Sequence, residues 1–181
     1  MSKKIDFKAL IQSLTDIIQE EQIKLGYQKE VIRLYYPAQS VNHLLDTDLD
    51  SESLLRILED LPAACEQTLG PVSATQKNDR FCFLIPQEGV TYVHEHTEER
   101  TFLKDFIGKI SDGHCTFEEL KEVFAAYSDD YSCEKAEHGE FDYLLWFNQG
   151  IPDSYLYCIK FEEHHAIYHR FTKQDYEDFD F

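Results

Sequence analysis

His94-Glu95-His96, followed by Thr97-Glu98-Glu99, is the part of this chain whose residue types and spacing best suit chemistry. On an extended strand, side chains two residues apart project to the same side. Read as a strand from Val90 to His94, the segment lets His94 and His96 grip one ion, with Glu98 or a distant residue as third ligand. A nitrogen and oxygen donor set of this kind suits zinc or another transition metal. The matching activity is that of a small metal-dependent enzyme. The same residues equally suit a polar strand-to-helix junction, and neither HExxH nor a paired CxxC accompanies them.

A second constellation lies in the stretch Phe141 to Phe171, which holds nine of the chain's 25 aromatic residues. Buried tyrosine hydroxyls need hydrogen-bond partners. Gathered beside Arg33 or Arg170, they would form a pocket for a small ligand or peptide. Tyr157, His169 and Arg170 are therefore the candidate ligand-binding residues. His169 shares strand parity with Ile167 and Phe171, which places it on the core side, while His164 and His165 fall at a hairpin turn. Plain core packing explains the same aromatic pattern.

No residue is assigned a catalytic role. There is no GxSxG, glycine-rich phosphate loop or dinucleotide fingerprint. Cys82 and Cys158 sit in apolar strands and read as small core residues. Cys115 lies on a loop before a helix, where a thiol pKa can fall. The five cysteines form no CxxC and their count is odd, as expected of free thiols in a reducing cytoplasm.

The elements that would position these groups read as follows. Ile5, Leu10, Ile11, Leu14, Ile17, Ile18 and Leu25 recur at helical spacing, predicting a helix over 5–25 closed by Gly26. Glu30 to Pro37 is extended, with apolar residues on both faces. Ser40 to Leu45 reads as a short helical turn. Ser51 to Leu61 reads as a helix capped by Asp50 or Ser51 and stopped by Pro62. Val72 to Gln76 and Arg80 to Ile85 form a hairpin around Lys77-Asn78-Asp79, with the apolar FCFLI run in a central position. Glu98 to Ile110 is helical, and Thr116-Phe-Glu-Glu119 is a capping box opening a further helix to about Tyr127. Ser128 to Gly139 is aperiodic and reads as a loop. Glu140 to Asn148, Tyr155 to Glu162 and Ala166 to Phe171 are three consecutive strands, after which Thr172 caps a last short helix.

Helices and strands come in blocks, so the expected class is α+β. The expected architecture is a mostly antiparallel sheet ending in a C-terminal three-stranded meander, packed against several helices. One domain spans 1–181, with its N-terminal helix at 5–25 and its C-terminal strands at about 140–171.

Charge narrows the partners. The formal net charge is −18, and residues 112–181 hold five basic against seventeen acidic side chains. Such a field repels nucleic acid and anionic membrane and attracts basic proteins. No apolar run approaches the roughly 20 residues of a membrane span, and no secretory leader is read, so the expected compartment is the cytoplasm. An uncovered aromatic edge strand would favour a homodimer.

Two segments, IKLGYQKEVIRLYYP (23–37) and IPDSYLYCIKFEEHHAIYHRFTKQDYEDF (151–179), resemble a family of uncharacterised bacterial proteins of about this length, found mainly in Firmicutes. The resemblance covers nearly the whole chain. It implies a bacterial cytosolic protein and transfers no functional residue. The expected function is a non-catalytic binding module for a protein or small ligand, without a cofactor. The alternative is the zinc enzyme built on His94 and His96.

Overall fold

A computed structural model describes residues 5–136, 140–163 and 165–178. The chain gathers into two compact units, Met1–Thr97 and Glu98–Phe181. Together they hold eight helices and two antiparallel sheets among the described residues, the α+β class expected from the sequence.

The first unit opens with α1 (Lys8–Leu25), whose Leu10, Leu14 and Ile18 lie on one buried stripe. Gly26 ends it in the left-handed region at φ 71°, and its N–H donates to the Gln22 carbonyl. A Cβ is disfavoured in that conformation, which is why a glycine stands there. Next come β1 (Ile32–Pro37), α2 (Ala38–Leu45), α3 (Ser51–Leu58), α4 (Leu61–Cys65), β2 (Ser73–Lys77), β3 (Arg80–Ile85) and α5 (Gln87–His96). The sheet order is β1-β3-β2, so the apolar FCFLI strand is central as expected. Ile32, Leu34 and Tyr36 alternate with exposed Arg33 and Tyr35, so β1 buries one face and not two. The buried face meets Phe81, Phe83 and Ile85 of β3 and the stripe of α1 in one core. Two polar contacts tie α1 to it: Ser13 Oγ shares a 2.9 Å hydrogen bond with Tyr36 Oη, and Gln22 Nε2 donates to the Val90 carbonyl at 2.8 Å.

Two further expectations for this unit are corrected. Pro62 does not stop the preceding helix. It sits in the first turn of α4, where its missing N–H costs nothing. Residues 87–96 form α5 and no strand. Val and Tyr favour strands weakly, but Val90 and Val93 are three apart and both buried. Helical spacing satisfies the core, and Pro86 in extended conformation starts the helix.

The second unit begins with α6 (Phe102–Ile110) and α7 (Phe117–Ala125), capped by Thr101 and Thr116. Thr116 forms the expected capping box: its hydroxyl accepts from the Glu119 N–H at 3.3 Å, and the Glu119 carboxylate accepts from the Thr116 N–H at 2.9 Å. These bonds and the Lys109 ammonium hold the Glu119 carboxyl down at about 2. A depressed carboxyl stabilises the fold above its ordinary value of 4.5, and that contribution fades as pH falls toward 2. Thr116→Ala is expected to cost about 1 kcal/mol, read as a lower midpoint of denaturant unfolding. An unchanged midpoint would remove the cap from the account.

The C-terminal sheet has the order β4-β5-β6-β7, with β4 (Tyr131–Lys135), β5 (Tyr143–Phe147), β6 (Leu156–Phe161) and β7 (Ala166–Phe171). The expected meander is therefore present and has a fourth strand. β4 lies in what reads as a loop because its Cys133, Glu134 and Lys135 are exposed on an edge, and only Tyr131 packs inward, against Phe124. Residues 137–139 and His164, included in the loop and turn readings, lie outside the described residues. The helices α6 and α7 cover one face of the sheet through an aromatic cluster. Phe102, Phe106 and Phe124 meet Tyr157 edge to face at centroid distances of 5.5, 4.6 and 5.6 Å. The opposite face holds a smaller cluster of Leu144, Leu156 and Cys158 with Trp146, Phe171 and Tyr176. Tyr176 comes from α8 (Lys173–Asp178), which Thr172 caps through the Asp175 N–H at 3.0 Å.

Candidate functional site

The structure brings Tyr157 and Arg170 together and sends His169 elsewhere. Tyr157 pairs with Arg170 across β6 and β7, while Cys158 pairs with His169. Directly opposed residues share a face, so Tyr157 and Arg170 point to the helix side and His169 to the other. Strand parity with Ile167 and Phe171 predicts His169 on the core side. The parity was right and the face was reversed: Ile167 and His169 are exposed, and Tyr168 packs on Phe106 at 5.1 Å. His169 lies beside Phe141 and Phe171 on the outer cluster.

The residue that joins Tyr157 to Arg170 is Asp153, from the turn before β6. Its Oδ2 accepts from the Tyr157 hydroxyl at 2.9 Å and from Arg170 Nη1 at 3.3 Å. Its Oδ1 accepts from the Tyr155 N–H at 2.8 Å. The guanidinium also sits 4.5 Å over the Tyr155 ring. The Arg170 and Asp153 side chains are only 4% and 12% exposed, so this charge pair is largely withdrawn from water. Burial, reinforced by the Asp153 charge, pushes the Tyr157 hydroxyl well above its ordinary pKa. It remains a protonated donor at neutral pH. The arrangement is a closed clasp whose carboxylate already receives three donors, and its chemistry is that of holding the turn onto β7.

His94 and His96 lie on α5, where two residues subtend about 200° around the axis. The strand geometry that would aim both at one ion is absent. Both are exposed, and His96 stacks on Tyr92 at 4.0 Å with its Nδ1 2.8 Å from the Tyr92 carbonyl. Glu98 begins the other unit. Among the described residues, no group of three or more His, Cys, Asp or Glu side chains gathers as an ion site.

The thiols are all free. Burial raises Cys65 to about 11 and Cys158 to about 12, as expected of core residues. Cys115 departs from its expectation: partial burial, followed by the Glu119 charge, raises its pKa rather than lowering it. Burial and the acids Glu119 and Asp112 outweigh the lowering effect of Lys109.

The feature that the sequence did not reveal is an open groove of about 610 Å³ in the first unit. The end of α4 with the following loop supplies Glu66, Thr68 and Gly70, and α5 supplies Glu88, Tyr92 and Glu95. Three of its lining residues are glutamates and none is lysine or arginine. Two glycines set its shape. Gly70 has φ +69°, and a Cβ there would come within 2.5 Å of the Glu88 carboxylate. A Cβ on Gly89 would come within 2.2 Å of the Leu69 carbonyl oxygen, so α5 lies directly on the loop backbone. Because Glu88 and Glu95 stand two turns apart on one helix and Glu66 comes from another element, the convergence of the three has no local sequence signature.

The arrangement offers carboxylates and one aromatic ring to a cationic group. No helix among the described residues is long and apolar enough to cross a membrane. No curated protein and no solved structure matches the chain. The profile of one family, described as "Domain of unknown function, E. rectale Gene description (DUF3877)", matches residues 7–179.

Proposed function

The chain belongs to that family of unknown function, and within it we propose a non-catalytic binding module that receives a basic segment of a partner protein. The groove of Glu66, Glu88, Glu95 and Tyr92 carries this reading. An incoming lysine or arginine meets carboxylates from two elements and an aromatic face. Contact between a cation and such a ring contributes about 0.5–1 kcal/mol at exposed sites. The wider field of a chain with net charge −18 adds steering, which speeds encounter and weakens with salt. The clasp of Asp153, Tyr157 and Arg170 is closed upon itself and supports the fold rather than the binding.

Calorimetric titration of the whole chain with an oligolysine peptide tests this. We expect binding that weakens steeply with salt and falls at least about tenfold, or 1.4 kcal/mol, in the Glu66→Gln/Glu95→Gln double variant. Equal binding by parent and variant would move the site away from the groove, and no binding by the parent would overturn the reading.

A further inference from the structure

The first unit carries, apart from its groove, a surface of the opposite character. Strands β1, β2 and β3 contain three cations, Arg33, Lys77 and Arg80, and no acid, in a chain of 17 basic and 35 acidic side chains. The register sets the residues of the outer face in three cross-strand rows: Arg33, half-buried Leu84 and Ser73; Tyr35, half-buried Cys82 and Thr75; half-buried Pro37, Arg80 and Lys77. Because residues of one row share a face, the three cations and Tyr35 lie on the same side of the sheet, away from its buried side. Arg33, Lys77 and Arg80 are exposed and make no ion pair among the described residues. Tyr35 is 62% exposed, and the segment leading into β1 adds Tyr27 at 58% and Val31 at 46%. Tyrosine and arginine are the residue types enriched where proteins bind one another.

We propose that this sheet face docks into the acidic groove of a second copy of the chain. The inference rests on the groove reading above, and charge complementarity argues for the occupant. Three cations lacking acidic partners on one copy answer three glutamates without cationic neighbours on the next. Tyr92 in the groove offers a ring to an arginine of the sheet. The two surfaces use different residues, so the contact is head-to-tail and generates a ring or an open chain rather than a two-fold dimer. The overall negative charge opposes assembly at long range. At about 0.1 M salt the screening length is near 10 Å, which suppresses that repulsion and leaves pairs in contact.

Sedimentation velocity of the full chain tests the docking. The wild type is expected to associate with rising concentration at about 0.1 M salt and to revert to monomer near 1 M, where screening reaches 3 Å. Arg33→Glu/Arg80→Glu and Glu66→Lys/Glu95→Lys should each be monomeric alone. Mixed one to one, they restore the opposite charges in trans, and the apparent association constant should rise more than about tenfold over either variant alone. A wild type that stays monomeric at 0.1 M, or a mixture that fails to associate, overturns the proposal. Oligolysine titration separates the two readings. A monomer that binds the peptide removes only the self-docking, and a monomer that does not bind it removes the groove reading as well.

Discussion

Arg170→Ala is expected to lower the unfolding free energy of the C-terminal unit by about 3–5 kcal/mol, the usual cost of stranding one member of a buried charge pair. Asp153 would keep its negative charge at 12% side-chain exposure and lose the 3.3 Å donor that offsets it. The chain's single tryptophan, Trp146, lies on β5 of the same sheet, so its fluorescence during urea unfolding reads the effect. Removing both charges, in Asp153→Leu/Arg170→Met, should cost less than Arg170→Ala alone, because no uncompensated charge remains. Tyr157→Phe removes one of three donors to Asp153 and should cost about 1–3 kcal/mol. The raised Tyr157 pKa adds a pH signature. The folded unit favours the protonated hydroxyl, so this contribution is whole below the ordinary value of 10 and is lost as pH rises beyond it. If Arg170→Ala and the double variant unfold at the same urea concentration as the parent, the clasp is not what secures the turn.

Gly89→Ala should have the second large effect, and it should act on both stability and binding. The added methyl would lie 2.2 Å from the Leu69 carbonyl oxygen and 2.7 Å from its carbon. Both are backbone atoms, so no side-chain rotation relieves the overlap, and α5 or the loop at Leu69 and Gly70 must shift. Overpacking of this kind costs about 1–3 kcal/mol and occasionally more; a clash against backbone belongs at the upper end. The moving parts carry Glu88 and Gly70, so oligolysine affinity should fall with stability. Gly108→Ala is the control. Gly108 is exposed in α6, with nothing within 4 Å of its added methyl, and the change should stabilise that unit by roughly 0.5–1 kcal/mol. A Gly89→Ala chain that unfolds with the parent and binds the peptide equally would refute the close approach.

Much of this fold was legible because its strongest signals are local. The stripe of α1, the Gly26 cap, the capping box at Thr116 and the limits of β7 depend on residues a few positions apart. What failed was tertiary. Val90 to His94 has strand-like residue types, yet the core buries Val90 and Val93 and makes the segment a helix, and the His94 and His96 geometry depended on the strand. β4 escaped notice because an edge strand buries little and shows no alternation. Strand pairing sets Tyr157 and Arg170 as neighbours, but the sequence did not mark Asp153, which joins them, since a carboxylate in a turn among 35 acids carries no mark. His169 shows the limit of alternation as a guide: it tells which side chains share a face, and neighbouring elements decide which face is covered. The polar run HEHTEER spans the division between the two units without a proline or glycine to announce it.

The distribution of thiols gives the molecule a built-in pair of clocks. Cys65 is fully buried in the first unit and Cys158 fully buried in the second. Their raised pKa values leave them almost entirely as unreactive thiols near neutral pH. Alkylation of either one must wait for its own unit to open, whereas exposed Cys133 reacts from the native surface. Peptide mapping of alkylation over time thus records the opening rate of each half of the chain separately, in a single tube and without a mutation.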